Sequence, residues 1–330
     1  MPKIRRAVKC AAVGEQLKET LEIAKRTQIH GLEVHEVLPL MEESSFKERI
    51  KIILEVFNKY PLASLAYHFP LPPSPALDDS QNCFKFDLAS KEGEYIFDFT
   101  KDTVKEAASL GQALKIETEI PVVVHLFGFA NPEKITAKER NEKLELGEKR
   151  LKELKEVADY YSRQSGVKVV ITRENNPPEH GDIAGLLDFH PKDVSRTIDS
   201  GIGANLDLAH IWMNILYWKE GKMELAGPDL NKKIYPQIDL EETIDLLKPG
   251  LRLLHLNDAG PGYRKELEGL EIGKGTLPHS FIIPLICSKL NTDVIGTYEI
   301  KYGHKEPQSV LRSDQFYRNL FGAKFEDYFE

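Results

Sequence analysis

The amino-acid sequence predicts an α/β protein in which eight parallel strands close into a (β/α)8 barrel. Short apolar runs alternate with helical segments eight times along the 330 residues, the pattern of a parallel sheet with crossover helices. The runs are nearly continuous in apolar residues, which is typical of strands buried on both faces. Polar residues stand at the carboxyl ends of six runs, which suits a ring of strands better than the competing doubly wound open sheet.

The elements follow from local pattern. Each predicted strand is a run rich in Val, Ile, Leu and Ala, and the runs lie at 5–13, 31–38, 62–69, 120–127, 167–174, 202–208, 251–257 and 293–300. Helical segments repeat apolar residues at helical spacing, or carry helix-start signals such as Pro191. These helices are predicted at 15–28, 45–59, 139–163, 191–200, 240–248 and 279–290.

Two stretches exceed the needs of a minimal barrel. Residues 72–93 form a predicted long loop after the third strand, and residues 219–239 form another after the sixth. Loops of this length in a compact domain usually act as lids or binding loops, and the alternative is a surface insertion without a role. Because no Pro/Gly/Ser-rich linker divides the chain, residues 1–330 are expected to form a single domain. The aromatic C-terminal stretch packs either on its own barrel or on a partner subunit, which leaves a homo-oligomer open.

Composition narrows the class of protein. Hydrophobic residues make up 41% and charged residues 29% of the chain, as in ordinary soluble proteins. No apolar run approaches ~18 residues, so no membrane partner is expected. The basic N-terminus lacks a long apolar core, and the three cysteines show no CxxC spacing. We therefore expect no signal peptide and a reducing, cytoplasmic location. The net charge of −8 gives no general attraction to nucleic acid, although it allows a local basic groove.

Seven acidic or histidine residues stand where apolar runs give way to loops. They are His68, His125, Glu174, Asp207, His210, His255 and Glu299. A buried strand end has little use for a carboxylate or an imidazole unless that group finds a partner. Because a barrel of parallel strands gathers their carboxyl ends at one rim, these groups predict a pocket for a divalent cation.

This ordered set, with the phrases LDLAH, HLND and IGKG, resembles the xylose isomerase-like TIM-barrel superfamily. That superfamily includes sugar isomerases, epimerases and endonuclease IV-like proteins, and the resemblance runs from GLEVHE to YEIKYG. It implies a four-ligand metal site made of Glu174, Asp207, His255 and Glu299. Three carboxylates and one imidazole suit Mn²⁺, Mg²⁺, Co²⁺ or Zn²⁺.

The resemblance also implies further roles. In endonuclease IV-like members, His68 and His125 match ligands of a second metal ion, which shares Glu174. His210 matches a substrate-contacting histidine of the epimerases and a ligand of a third metal ion in the nucleases. Asn257 and Asp258 follow His255 directly, where they would orient it or contact substrate.

One departure favours small-molecule chemistry over the nuclease reaction. The nuclease pattern has an Asp-x-His element shortly before IGxG, where this chain reads RKELEGLEIGKG. Leu267 and Gly269 occupy the expected ligand positions, and Glu266 and Glu268 lie out of register. A three-metal phosphodiester site is therefore incomplete in this sequence.

The resulting hypothesis is a metal-dependent isomerase or epimerase acting on a sugar-like hydroxy-carbonyl compound. Glu174 and Glu299 would transfer a proton through an enediolate, while His210 holds a substrate hydroxyl. The first alternative is an abasic-site endonuclease type of phosphodiesterase with two metal ions and nucleic acid as its partner. That alternative needs a basic groove, with candidates Arg264, Lys265, Lys274 and Lys301. The second alternative is a non-catalytic barrel.

Several other residues carry open interpretations. Glu33 is expected in the pocket or paired with a lysine such as Lys9. The backbone amides of Gly273 and Gly275 form either an anion-binding turn or a plain tight turn. The remaining histidines are expected in loops or at the surface, with His180 placed in a loop of the pocket face. These are His30, His35, His180, His190, His279 and His304.

Overall fold

Eight parallel strands form a closed barrel in which each strand pairs with its neighbours in the chain and β8 pairs with β1. The strands are β1 (Ile4–Ala11), β2 (Gly31–Val37), β3 (Ser64–Leu71), β4 (Ile120–Val124), β5 (Val169–Glu174), β6 (Gly203–Asp207), β7 (Leu251–Leu256) and β8 (Val294–Tyr298). The computed structural model describes residues 1–11, 14–37, 45–57, 59–71, 83–131, 134–178, 183–220, 237, 239–262, 265–301, 306 and 308–330. The predicted (β/α)8 barrel is confirmed.

Helices alternate with the strands and pack around the barrel. They are α1 (Gly14–Thr27), α2 (Phe46–Phe57), α3 (Glu94–Leu114), α4 (Ala137–Ser165), α5 (Pro191–Ser195), α6 (Leu208–Lys219), α7 (Leu240–Leu247), α8 (His279–Lys289), α9 (Gln308–Phe321) and α10 (Phe325–Tyr328). The sequence pattern did not predict α3, α6, α9 or α10. Nine of the twelve residues of α6 are buried, so this helix shows little of the polar face that marks an amphipathic pattern. None of the described helices has the length and apolar character to cross a bilayer.

The interior of the barrel is layered, and the layers position the pocket. A small apolar cluster separate from the main core contains Ala7, Ala66, Val123, Leu253 and Ile295. Successive side chains in a strand point to opposite faces, so residues two apart share the barrel interior. The first four members therefore direct the side chains two positions later, namely Lys9, His68, His125 and His255, into the same interior. An apolar layer thus supports a polar one at the carboxyl ends of the strands.

The aromatic C-terminal stretch packs on its own barrel. Phe329 is fully buried, and Phe325 is nearly so. The backbone nitrogen of Glu330 donates to the carbonyl of Ile4 at 3.0 Å, and the nitrogen of Arg6 donates to the carbonyl of Glu330 at 3.0 Å. The chain end is therefore fixed beside the first residues of β1, and the oligomeric state stays a prediction.

Three of the remaining histidines differ from the expectation of loop or surface positions. His35 lies in β2, His190 is fully buried at the start of α5, and His279 is buried at the start of α8. The two buried histidines each have a polar partner: His190 Nδ1 accepts from the backbone nitrogen of Lys192 at 3.1 Å, and His279 Nδ1 lies 3.0 Å from the hydroxyl of Tyr317. His180 and His304 lie outside the described residues.

The two long loops lie mostly outside the described residues. Of the stretch 72–93 the structure describes residues 83–93, which contain the 3₁₀ turns Cys83–Phe86 and Lys91–Gly93. Of the stretch 219–239 it describes residues 219, 220, 237 and 239. The lid function of both loops stays a prediction.

Replacing Phe329 by alanine should lower the free energy of unfolding by about 3–5 kcal/mol, because it leaves a cavity beside the first residues of β1. Chemical denaturation followed by circular dichroism measures this change. The matched control is Phe281→Ala, since Phe281 is 57% exposed. The control should change stability by no more than about 0.5 kcal/mol. Equal losses of unfolding free energy in the two variants would show that packing of Phe329 against the barrel does not stabilise the fold.

Candidate metal centre

The pocket lies at the end of the barrel where the strands finish, and every strand contributes a polar side chain to it. In chain order these residues are Lys9, Glu33, His68, His125, Glu174, Asp207, His255 and Glu299. His125 follows β4 by one residue, and Glu299 follows β8 by one residue. Most of them have almost no solvent exposure. The sequence prediction that strand-end groups converge at one rim therefore agrees with the geometry.

Three carboxylates surround one nitrogen of His255. Its Nδ1 lies 3.2 Å from Glu174 Oε1 and 3.7 Å from Asp207 Oδ2, and it contacts Glu299 Oε2 directly. One ligand atom from each of these four residues lies within 4.8 Å of the others. The four side chains expected to form a metal site are thus brought together.

The electrostatics of this cluster favour a positive charge at its centre. Burial opposes ionisation of Glu174, but His255 and His125 lower its pKa to about 2. Burial likewise opposes ionisation of Glu299, and His255 and Lys9 hold its pKa well below the ordinary value. Burial alone would lower the pKa of His255, yet Glu174, Glu299 and Glu33 raise it well above the ordinary value. A proton on His255 therefore supplies part of the positive charge that stabilises the neighbouring carboxylates.

The donor set and its unsatisfied atoms fit a divalent metal ion. Oε2 of Glu299 is buried and has no hydrogen-bond donor in good geometry within the described part of the chain. Burial also raises the pKa of Asp207 to about 6 next to the other carboxylates. Buried carboxylates at this density are costly unless a cation compensates them. Three oxygen donors and one imidazole nitrogen are the ligand types of Mn²⁺, Mg²⁺, Co²⁺ and Zn²⁺.

His68 and His125 form a second group of candidate ligands with Glu174. Nε2 of His68 lies 3.2 Å from Nε2 of His125. Oε2 of Glu174 lies 3.8 Å from the first nitrogen and 3.4 Å from the second. Burial is the largest cause that lowers the pKa of both histidines, and it favours their neutral forms.

The tautomers of these two histidines follow from their outer contacts. Asn176 donates its Nδ2 to the carbonyls of Leu126 and Leu187, so its Oδ1 faces Nδ1 of His125, at 2.7 Å, as an acceptor. Nδ1 of His68 lies 3.0 Å from the carbonyl of Phe69. Both rings therefore carry the proton on Nδ1. Their Nε2 lone pairs face each other and Glu174, an arrangement that calls for a shared cation or a hydrogen-bond donor.

Asn257 supports Asp207. It donates Nδ2 to Asp207 Oδ2 at 2.6 Å and accepts from the backbone nitrogen of Ala209 at 2.9 Å. Asp207 Oδ1 in turn accepts from the backbone nitrogen of His210 at 2.7 Å, which makes Asp207 the N-cap of α6. The contacts of Asn257 thus favour a role in orienting a candidate ligand over a direct contact with substrate.

His210 lies at the pocket wall with a partner that the sequence did not reveal. Its Nδ1 lies 2.8 Å from the carbonyl of Asn175, and its Nε2 lies 3.2 Å from Glu268 Oε1. Burial lowers the pKa of His210, but Asp207 and Glu268 raise it to about 10. Glu268 was expected out of register with the nuclease ligands, and sequence register alone gave no signal for this contact.

Asp258 organises the loop after β7. Its Oδ2 accepts from the backbone nitrogens of Gly273 and Gly275, both at 3.0 Å. Its Oδ1 accepts from the nitrogens of Ala259 at 2.9 Å and Leu277 at 3.1 Å. The two glycine amides therefore bind an anion, and that anion is the buried carboxylate of Asp258. Because both of its oxygens are occupied, the geometry favours a structural role for Asp258.

The basic groove required by the phosphodiesterase alternative stays a prediction. Lys274 Nζ lies 3.5 Å from Glu271 Oε2, and Lys301 is exposed beside the loop that contains Gly269. Arg264 lies outside the described residues, as does the side chain of Lys265.

Glu33 was expected either in the pocket or paired with a lysine, and both descriptions hold. Its side chain lies in the pocket, and its Oε1 is 3.4 Å from Nζ of Lys9.

Comparison with solved structures identifies the fold. A D-tagatose 3-epimerase-like protein superposes with a TM-score of 0.59 at 18% identity, covering 96% of this chain and 98% of its own. A 3-keto-D-glucoside 4-epimerase from E. coli gives 0.56 at 12% identity, with coverage of 95% and 100%. An AP endonuclease, family 2, from Brucella melitensis also gives 0.56 at 12% identity, with coverage of 91% and 93%.

The fold is that of the xylose isomerase-like TIM barrels. A fusion protein described by that fold name superposes at a TM-score of 0.50 over 98% of this chain. No protein-family model matches the chain, and no curated protein matches its sequence. At 18% identity or less, these similarities show the fold alone, and the function has to be argued from the site.

Replacing Asp258 by alanine should lower the free energy of unfolding by at least about 2 kcal/mol, because four backbone amides lose their acceptor. Denaturant unfolding measures the loss, and amide hydrogen exchange at Gly273 and Gly275 should accelerate. Asp98→Ala is the control, since Asp98 is 66% exposed and pairs with Lys101 of the same helix. A stable Asp258→Ala variant with weakened substrate binding would instead favour substrate contact.

Proposed function

We propose that this protein is a divalent-metal-dependent isomerase or epimerase acting on a small sugar or polyol-type hydroxy-carbonyl compound. The observation that carries the proposal is the position of Glu174 and Glu299, whose carboxylates meet at Nδ1 of His255. Two carboxylates beside one cation site can act as the general base and general acid that remove and return a proton on a carbon next to a carbonyl. The fold similarity to an epimerase and to an epimerase-like protein agrees with this assignment.

The proposed reaction moves one proton between a substrate carbon and the two carboxylates. One carboxylate removes the proton from the carbon next to the carbonyl, which leaves an enediolate. In epimerisation the other carboxylate, which takes a proton from water before the step, gives that proton to the opposite face of the carbon, and the first carboxylate then releases its proton to water. In isomerisation the first carboxylate gives its proton to the neighbouring carbon, and the hydroxyl proton moves from one substrate oxygen to the other. In the free protein both groups have a pKa below the ordinary value, so either can act as the base at neutral pH. A divalent ion held by Glu174, Asp207, His255 and Glu299 would polarise the substrate carbonyl.

The walls of the pocket fit a polyhydroxylated compound. The Nε2 atoms of His68 and His125 are both acceptors, so each suits a substrate hydroxyl that donates to it. After β6, the pair of His210 and Glu268 offers a partly accessible carboxylate, with Glu268 27% exposed. We therefore assign His210 to substrate binding jointly with Glu268.

The alternative is a phosphodiesterase with two metal ions. It is favoured by one observation, the approach of two imidazole lone pairs and Oε2 of Glu174. A second cation between His68, His125 and Glu174 would relieve that repulsion as well as a substrate hydroxyl would. Under this alternative, nucleic acid is the partner.

Glu174→Gln and Glu299→Gln should each lower kcat by about 10²–10⁴-fold on the substrate found by screening ketoses and polyol ketones, because each loses a proton-transferring group. Solvent deuterium incorporation into product, followed by mass spectrometry, checks the proton transfer itself. Glu119→Gln is the control, since Glu119 lies at the other end of the barrel and pairs with Lys168 and Arg252. Near-normal turnover in both test variants would refute the assignment.

The isomerase proposal predicts one equivalent of Mn, Mg, Co or Zn in protein purified without chelator, and the same content in a His68→Ala/His125→Ala double variant. Elemental analysis measures both proteins. Two equivalents that fall to one in the double variant would support the dinuclear phosphodiesterase. In that case, abasic DNA and simple phosphodiesters become the first substrates to assay.

Metal affinity should fall as pH falls. The metal-free cluster holds protons on His255, whose pKa is raised well above the ordinary value, and on Asp207 below its pKa of about 6. Because bound metal must displace these protons, each displaced proton weakens binding by about tenfold per unit fall in pH below its pKa. Calorimetric titrations with Mn²⁺ between about pH 5.5 and pH 7.5 test this, and an affinity independent of pH would contradict it.

A further inference from the structure

Lys9 and Glu33 lie side by side beneath the candidate metal centre. They are register partners on the neighbouring parallel strands β1 and β2, so both side chains enter the barrel at the same level. Glu33 is completely buried, and the side chain of Lys9 is 14% exposed. Removing two such charges from water costs free energy, so other contacts must compensate for the burial of this pair.

Each member of the pair reaches a different candidate ligand. Lys9 Nζ contacts Glu299 Oε1 directly and lies 3.4 Å from Glu33 Oε1. The other carboxylate oxygen of Glu33, Oε2, lies 3.2 Å from Nε2 of His255. Since His255 Nδ1 contacts Glu299, the four side chains form a closed ring of polar contacts.

We propose that Lys9 and Glu33 are positioning residues that orient His255 and Glu299 for metal binding. Glu33 accepts from Nε2–H of His255, which fixes the ring and leaves Nδ1 as the nitrogen that faces Glu174, Asp207 and Glu299. Lys9 holds Oε1 of Glu299, which turns Oε2 toward the same centre. This inference rests on the proposed function, because it assumes that the four side chains bind a metal ion.

The pair differs from a buried ion pair that only stabilises the fold. Arg49 and Glu106 form such a pair between α2 and α3, with Arg49 Nη2 2.6 Å from Glu106 Oε2, on the outside of the barrel. The pair of Lys9 and Glu33 has no net charge, so it orients its neighbours without changing the total charge of the site. A carboxylate behind a ligating imidazole typically affects metal affinity by about 10–100-fold.

The test is metal affinity in three variants of the full chain. Glu33→Gln removes the carboxylate behind His255. The double variant Lys9→Met/Glu33→Gln removes both charges and keeps the net charge of the site. Glu106→Gln is the matched control, because Glu106 is as buried as Glu33 and lies outside the barrel. Competition titrations give the Kd for Co²⁺, and the visible absorption of bound Co²⁺ reports the ligand geometry.

Both site variants should bind Co²⁺ about 10–100-fold more weakly than the wild type with an altered absorption band. The control should lose stability and keep the wild-type Kd. Loss of affinity in the single variant alone, with a wild-type Kd in the double variant, would mean that Glu33 acts only through its charge and would overturn the inference.

The wild-type protein supplies a measurement that needs no variant. Nitrogen-15 spectra of the imidazoles in the Zn²⁺-loaded protein should show His255 protonated at Nε2 and metal-bound at Nδ1. The reverse assignment would overturn the inference even if a variant failed to fold. Failure of the metal-binding part of the proposed function looks different, since the wild type would then bind no ion at the four-residue cluster.

Discussion

Three carboxylates that meet at one nitrogen of His255, two of them fully buried, impose the central constraint on this structure. Glu174, Asp207 and Glu299 all lie within ion-pair distance of His255 Nδ1. Like charges in a low-dielectric interior repel strongly, so this arrangement depends on a cation at its centre. Protonated His255 and the ammonium of Lys9 meet that demand in part, and a divalent ion would meet it more fully.

The barrel explains how such a cluster can form at all. Alternation along each strand places an apolar residue two positions below each of four pocket residues, so the apolar core and the polar pocket share one interior. Outer contacts then fix the orientation of the polar groups, since Asn257 holds Asp207, Asn176 holds His125 and Glu33 holds His255. The chemistry therefore sits on rigid strand ends, and the loop after β7 is anchored separately by Asp258.

The sequence predicted the barrel and the converging residues because both depend on short-range pattern. Apolar runs define the strands, and the polar residues at their ends must meet once the strands are parallel and closed. The contacts that decide roles depend instead on which way a loop turns. Glu268 approaches His210, and Asp258 turns toward the amides of Gly273 and Gly275, through a loop whose path no periodicity encodes. Helix α6 was not predicted because it is buried on nearly every side and therefore lacks the alternating apolar and polar faces of an amphipathic helix.

The central claim is that Glu174, Asp207, His255 and Glu299 hold a metal ion. Anomalous diffraction from crystals soaked in Mn²⁺, recorded near the manganese absorption edge, tests it most directly. The account predicts a peak at about 2.0–2.3 Å from His255 Nδ1 and from one oxygen of each of the three carboxylates. An ordered site without an anomalous peak among these four side chains, under saturating Mn²⁺ at neutral pH, would contradict it.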